Sequence, residues 1–140
     1  MELKVAKLNS GAILPNYSYS DDAGFDLYSI EDIVLEPFKR FQVKTGISME
    51  IPVGHVGLIW DKSGISQKFG IKNLGGVIDS GYRGEIMIGV VNLSDEPYTF
   101  KKGAKVAQMI IQKKETCKIV EVDKLEEADR GNRGFGSSGK

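Results

Sequence analysis

Cysteine and histidine are nearly absent: Cys117 and His55 each stand alone. A single cysteine excludes an intrachain disulfide and fits a reducing compartment. One residue of each kind also excludes a His/Cys metal cage within one chain. Net charge is lacking as well. Nineteen Lys and Arg balance 19 Asp and Glu, which argues against a surface that grips nucleic acid or acidic membrane over its whole extent. No run approaches the roughly 18 apolar residues of a spanning helix. The start, MELKVAKLNSG, lacks the apolar stretch of a secretory signal, so a soluble cytoplasmic protein is expected. With four prolines the chain is not Pro/Gly low complexity, although glycine is abundant, 17 of 140 residues, against an ordinary share of about 7%. A hydrophobic fraction of 41% is enough for a core, and the length suits one domain.

What is present is mostly strand-like. Short runs rich in Val and Ile recur at Leu3–Leu8, Phe25–Ile30, Ile33–Leu35, Phe41–Ile51, His55–Trp60, Ile86–Leu93, Lys105–Gln112 and Lys118–Val122, broken by Gly, Pro, Asn and Asp. Pro37, Pro52 and Pro97 sit between runs, where a missing N–H does no harm. The spacing predicts an antiparallel sandwich or barrel. Ser80-Gly81 reads as a hairpin turn. One helix is expected at Ile65–Phe69, stopped by Gly70 as its C-cap. Trp60 and Met109 read as core, and His55 as a surface or strand residue. Residues 1–125 form the expected domain, while 126–140, EEADRGNRGFGSSGK, have no apolar periodicity and read as a flexible arm. That arm is either a frayed end or a strap closing over an anion and a flat ring, since Arg130, Arg133 and Phe135 lie among its glycines.

Three polar clusters flanked by glycine could carry chemistry. Asp61-Lys62-Ser63-Gly64 follows a strand and precedes the helix. It offers backbone N–H groups, a hydroxyl and a cation to a phosphate, or Ser63 simply caps the helix. In the second, Gly75 to Glu85, glycines allow close approach to strand backbone. Asp79 there is a general base or an Asx-turn former, and Tyr82 a packed ring or a ligand wall. The third is the arm.

These clusters resemble, in order, the five motifs of the all-β homotrimeric dUTPase family (deoxyuridine triphosphate nucleotidohydrolases). Ala23-Gly24-Phe25-Asp26-Leu27 is similar to the first, Lys62-Ser63-Gly64 to the second, and Gly76-Val77-Ile78-Asp79-Ser80-Gly81-Tyr82-Arg83-Gly84 to the third. Gly103 to Met109 is similar to the fourth and Arg130 to Gly139 to the fifth. Lys62 and Lys105 stand where the family usually has arginine, which keeps the charge and loses the bidentate fork.

The resemblance implies a jelly-roll-like β-sandwich or distorted barrel with one short helix and a C-terminal tail, assembled as a homotrimer with shared sites. It implies hydrolysis of dUTP to dUMP and pyrophosphate by water attack on the α-phosphorus, which keeps uracil out of DNA and supplies dUMP for dTMP synthesis. Mg²⁺ would be held by triphosphate and water, without direct protein ligands. Asp79 would activate the water. Uracil would be read by the backbone of Gly76, Val77, Ile78 and Asp79, flanked by Asn73 and Met87, and Tyr82 would pack on the deoxyribose. Ser63, Gly64, Lys62 and Gln108 would hold phosphates, and Arg130 would meet the γ-phosphate. Phe135 would stack on uracil, with Gly136 beside it. Asp26 and Lys105 would organise the site as an ion pair. Two other readings stand beside this one. A dCTP deaminase relative would need a glutamate near Gly89, and a dUTPase-like nucleotide-binding or regulatory module would bind without turnover.

Overall fold

The structure, a computed structural model, describes residues 1–134. Ten strands and one helix follow in order: β1 Lys4–Lys7, β2 Phe25–Tyr28, β3 Ile33–Leu35, β4 Arg40–Glu50, β5 His55–Asp61, α1 Ser63–Phe69, β6 Ile71–Leu74, β7 Val77–Asp79, β8 Glu85–Asn92, β9 Tyr98–Phe100 and β10 Lys105–Lys113. One four-stranded sheet has the order β1-β4-β8-β6, a second β2-β10-β5-β7, and β3 pairs with β9 in a small third sheet. Every pairing is antiparallel.

Alternation explains the layers. Along β8 the residues Ile86, Ile88, Val90 and Asn92 point inward while Glu85, Met87, Gly89 and Val91 lie on the other face. The inward set meets Val43, Ile47 and Met49 of β4, Phe25 and Leu27 of β2, and Val106, Ala107 and Met109 of β10 in one hydrophobic cluster. Two sheets that share one core make the all-β sandwich the sequence implied. The helix ends as expected: Gly70 adopts φ +69° and its N–H bonds Ser66 O.

Several expectations need correction. The strand expected over Lys118–Val122 does not form, and Ile119 is 95% exposed. Its alternating composition has no ladder partner within the chain, and strand propensity without pairing cannot hold an extended segment. The short strands β6, β7 and β9 were not anticipated, because glycines and three- or four-residue lengths hide their period. Trp60 is 53% exposed rather than core. It follows buried Ile59 in β5, and period 2 sends it outward. Ser80-Gly81 is a turn but not a hairpin. β7 pairs with β5 and β8 with β4 and β6, so the turn carries the chain from one sheet to the other. No helix among the described residues is long and apolar enough to cross a membrane.

Candidate active site

The sheet-crossing turn builds the first half of the site. Tyr82 N–H donates to Asp79 O at 3.1 Å, which closes the turn and leaves Asp79 at the end of β7. Val77, Ile78, Asp79, Tyr82 and Met87 line a cleft of about 180 Å³ with Gln42 and Glu85. Five of the expected residues therefore meet around one hollow. Gln42 escaped sequence reasoning, because it reaches the cleft through the β4–β8 pairing, which no local motif announces; Glu85 stands in the second polar cluster but had no role assigned. The Asp79 carboxylate makes no hydrogen bond to any described residue, so the Asx-turn reading does not hold, and the residue lines the cleft. Tyr82 is fixed, its hydroxyl donating to Glu85 O at 3.0 Å. A Cβ on Gly84 would fall 2.3 Å from that hydroxyl, so a glycine is needed for the ring to lie there.

Gly76 and Asn73 line an adjoining cleft of about 170 Å³ that shares Val77 with the first. Gly76 has φ +116°, and a Cβ there would stand 2.8 Å from Ile59 O. That close approach lets Ile59 N–H bond Gly76 O at 2.8 Å, and only glycine permits it. Asn73 Nδ2 is buried without a hydrogen-bond partner among the described residues, an amide donor that calls for one.

The second half surrounds Asp26, which is 2% exposed on β2. Lys105 Nζ lies 2.6 Å from Asp26 Oδ2, Lys62 Nζ bonds Oδ1, and Ser18 Oγ donates to Oδ2 at 2.9 Å. Lys105 Nζ also reaches Ser18 Oγ at 2.8 Å. Burial pushes the Asp26 carboxyl upward, but the bonds from Lys105, Lys62 and Ser18 outweigh it and hold the pKa below the ordinary value. The same bond raises Lys105. Both lysines that stand in arginine positions thus converge on one carboxylate. Lys105 is placed as an organising pair requires, while Lys62, expected at phosphate, rests on Asp26. The capping reading of Ser63 is corrected: Lys62 is the N-cap of α1, with no side-chain cap bond, so Ser63 and Gly64 open the helix. Gln108 turns toward this end, its Nε2 donating to Asp61 O at 2.9 Å.

Within one chain the two halves stand apart. Asp79 is opposite Val56 at the start of β5, whereas Gln108 is opposite Trp60 at its end. Lys62 lies beyond that end, about 20 Å of extended backbone from Val56. Arg130 reaches neither half: its Nε donates to Arg133 O at 2.8 Å, and Arg133 Nε returns to Arg130 O at 3.0 Å. Phe135 and Gly136 lie outside the described residues.

The dUTPase family model matches residues 10–139. The chain belongs to the dUTPase family. Its similarity to curated members spans the full length. It is 43% identical to the deoxyuridine 5'-triphosphate nucleotidohydrolase of Clostridium kluyveri over 141 residues, covering 99% of each chain. It is 43% identical to that of Nautilia profundicola, covering 100% of each. Among solved dUTPases, one from Staphylococcus phage 80alpha superposes with a TM-score of 0.92 at 32% identity over 98% of both chains. Another 80alpha structure, carrying dUpNHpp, gives 0.90 at 31% identity over 99% of both. A dUTPase of phage phi11, with a TM-score of 0.84 at 29% identity over 91% of this chain, was solved to detail a structural Mg(II) ion. The dUTPase fold therefore accounts for both sheets and for the sheet-crossing turn that carries Asp79.

Proposed function

We propose that this chain hydrolyses dUTP to dUMP and pyrophosphate. The observation that carries the reading is the Asp79 carboxylate, without a partner among the described residues, at a cleft rimmed by Tyr82 and Met87, in a chain that matches the dUTPase family over residues 10–139. Water attacks the α-phosphorus. A new bond forms between the water oxygen and the α-phosphorus, the bond from the α-phosphorus to the α,β-bridging oxygen breaks, pyrophosphate leaves with that oxygen, and Asp79 takes the water's proton. Gly76, Val77 and Ile78 present backbone to uracil, with Asn73 and Met87 at its edges, and Tyr82 packs on the deoxyribose. A slot of this kind rejects the thymine methyl by size and the cytosine amino group as a mismatched donor.

Ser63, Gly64, Lys62 and Gln108 hold phosphates. Asp26 and Lys105 keep that end in place. Arg130 meets the γ-phosphate, Phe135 stacks on the base, and Gly136 lets the arm, residues 126–140, lie close over the nucleotide. No three His, Cys, Asp or Glu side chains among the described residues are grouped to hold a metal ion. A donor set of that kind fits Mg²⁺ that arrives on triphosphate and water. When bound, it neutralises triphosphate charge.

The 20 Å separation supports a site completed between copies. In the homotrimer one subunit supplies Asp79 and its cleft, a second supplies Asp26, Lys62, Ser63 and Gln108, and a third lends the arm. The exposed apolar side chains Ile119, Val122 and Leu125 support an assembly that covers them. On this reading the chain is a cytoplasmic nucleotide enzyme that keeps uracil from DNA and yields dUMP for dTMP synthesis. Pyrophosphate release from dUTP, compared with UTP, dTTP and dCTP, tests the reading. Binding of dUTP without turnover would overturn it, as would ammonia released from dCTP.

A further inference from the structure

We infer that Asp61 is a positioning residue for nucleotide binding. It acts by fixing Asn73 at the base end of the cleft. The inference rests on the dUTP reading given above.

Asp61 is the last residue of β5 and directly precedes Lys62-Ser63-Gly64. Three of its oxygens are used. Oδ1 accepts the Asn73 backbone N–H at 2.7 Å, Oδ2 accepts Lys72 Nζ, and the main-chain carbonyl accepts Gln108 Nε2 at 2.9 Å. The first bond is unusual in its placement. β6 is the edge of its sheet, so an N–H pointing away from β8 has no ladder partner. The Asp61 carboxylate supplies one from the other sheet. It thereby pins the two sheets together where the cleft lined by Trp60, Asp61, Asn73 and Gly76 opens.

That pin sets the direction of Asn73, whose buried Nδ2 has no partner among the described residues. A donor held by its own backbone at a fixed angle selects an acceptor; a donor on a free sheet edge does not. The Lys72 ion pair holds the carboxylate in turn. Lys72 is about half exposed, so the pair steadies the geometry more than it stabilises the fold.

The experiment compares Asp61→Ala and Asp61→Asn by pyrophosphate release from dUTP, with melting temperature recorded alongside. Asparagine keeps an acceptor for the Asn73 N–H and loses only the charge. Asp61→Ala is expected to raise KM about tenfold, the worth of one charge-assisted hydrogen bond, with kcat within about twofold, because Asn73 touches the base and not the reacting phosphorus. Asp61→Asn is expected to restore KM to within about threefold of the parent. An unchanged KM in Asp61→Ala overturns the inference, and so does an Asp61→Asn variant as weak as the alanine. If Asp61→Ala loses kcat in step with its folded fraction, the role is structural and the inference fails. A parent chain that does not turn over dUTP sinks the functional reading instead, which separates the two failures.

Discussion

The Asp79 carboxylate makes no hydrogen bond to any described residue, so replacing the side chain should cost the fold nothing and the reaction almost everything. Asp79→Asn keeps the shape and removes the basicity. Pyrophosphate release is expected to fall about a hundred- to ten-thousand-fold, the range for loss of a general base, with an unchanged melting temperature; an active variant would remove Asp79 from its role. Asp26 behaves in the opposite way. Its folded pKa lies below the ordinary 3.8, so the stabilisation it brings is complete above that pH and is lost as pH falls through the folded value. Lys105 is raised above 10.5, so its share persists below that pH and is lost as pH rises through the folded value. Asp26→Asn should lower the melting temperature by roughly 5 °C at pH 7. The gap from the parent should close as pH drops below 3.8, a trend that thermal melts from pH 2 to 7 would follow. A gap independent of pH would show that packing, not charge, is what Asp26 contributes.

At the scale of elements, legibility followed the length of the period. β4 and β10 announce themselves by runs of 11 and nine residues, β8 by alternating burial over eight, and α1 by its closing glycine. β7 is three residues long and stands beside Gly75-Gly76, so nothing local marks it as a strand. Its resemblance to a motif located Asp79 where periodicity could not. The same resemblance named Lys62 and Lys105 but not their common partner geometry, since pairing of both on Asp26 depends on three strands meeting. Gln42 was invisible for that reason too, and Asp61, though it stands in the first polar cluster, carried no role of its own there. The opposite error, a strand over Lys118–Val122, arose because alternation reports a face that wants covering and says nothing of which chain covers it. The arm is the element whose role is least encoded in burial. Arg130 and Arg133 bond only to the arm's own backbone, among the described residues. A chain ending at Asp129 is therefore expected to keep its melting temperature and its assembly while losing about tenfold or more in dUTP turnover. Full activity in that truncation would make the arm a frayed end.

For the whole molecule the question is whether one chain can work alone. Asp79 lies at one end of β5 and the Lys62-Ser63-Gly64 segment beyond the other, and a rigid sandwich with a shared core cannot fold one end onto the other. On the reading proposed above, a nucleotide spans both when a second copy brings its phosphate end to the first copy's cleft. Complementation reads this directly. One variant carries Asp79→Asn, a second carries Lys62→Ala with Ser63→Ala, and each alone is expected to be nearly inactive. Equal amounts, unfolded and refolded together, assort at random. With sites shared between neighbours in a closed ring, about a quarter of sites combine an intact Asp79 from one chain with an intact phosphate segment from the next. Pyrophosphate release from the mixture should then recover to about a quarter of the parent rate, at a particle mass three times the 15.4 kDa chain. If every site were built within one chain, no pairing of these variants could restore a complete one. The refolded mixture would stay as inactive as its parts whatever its mass, because each chain would carry its own defect into its own site.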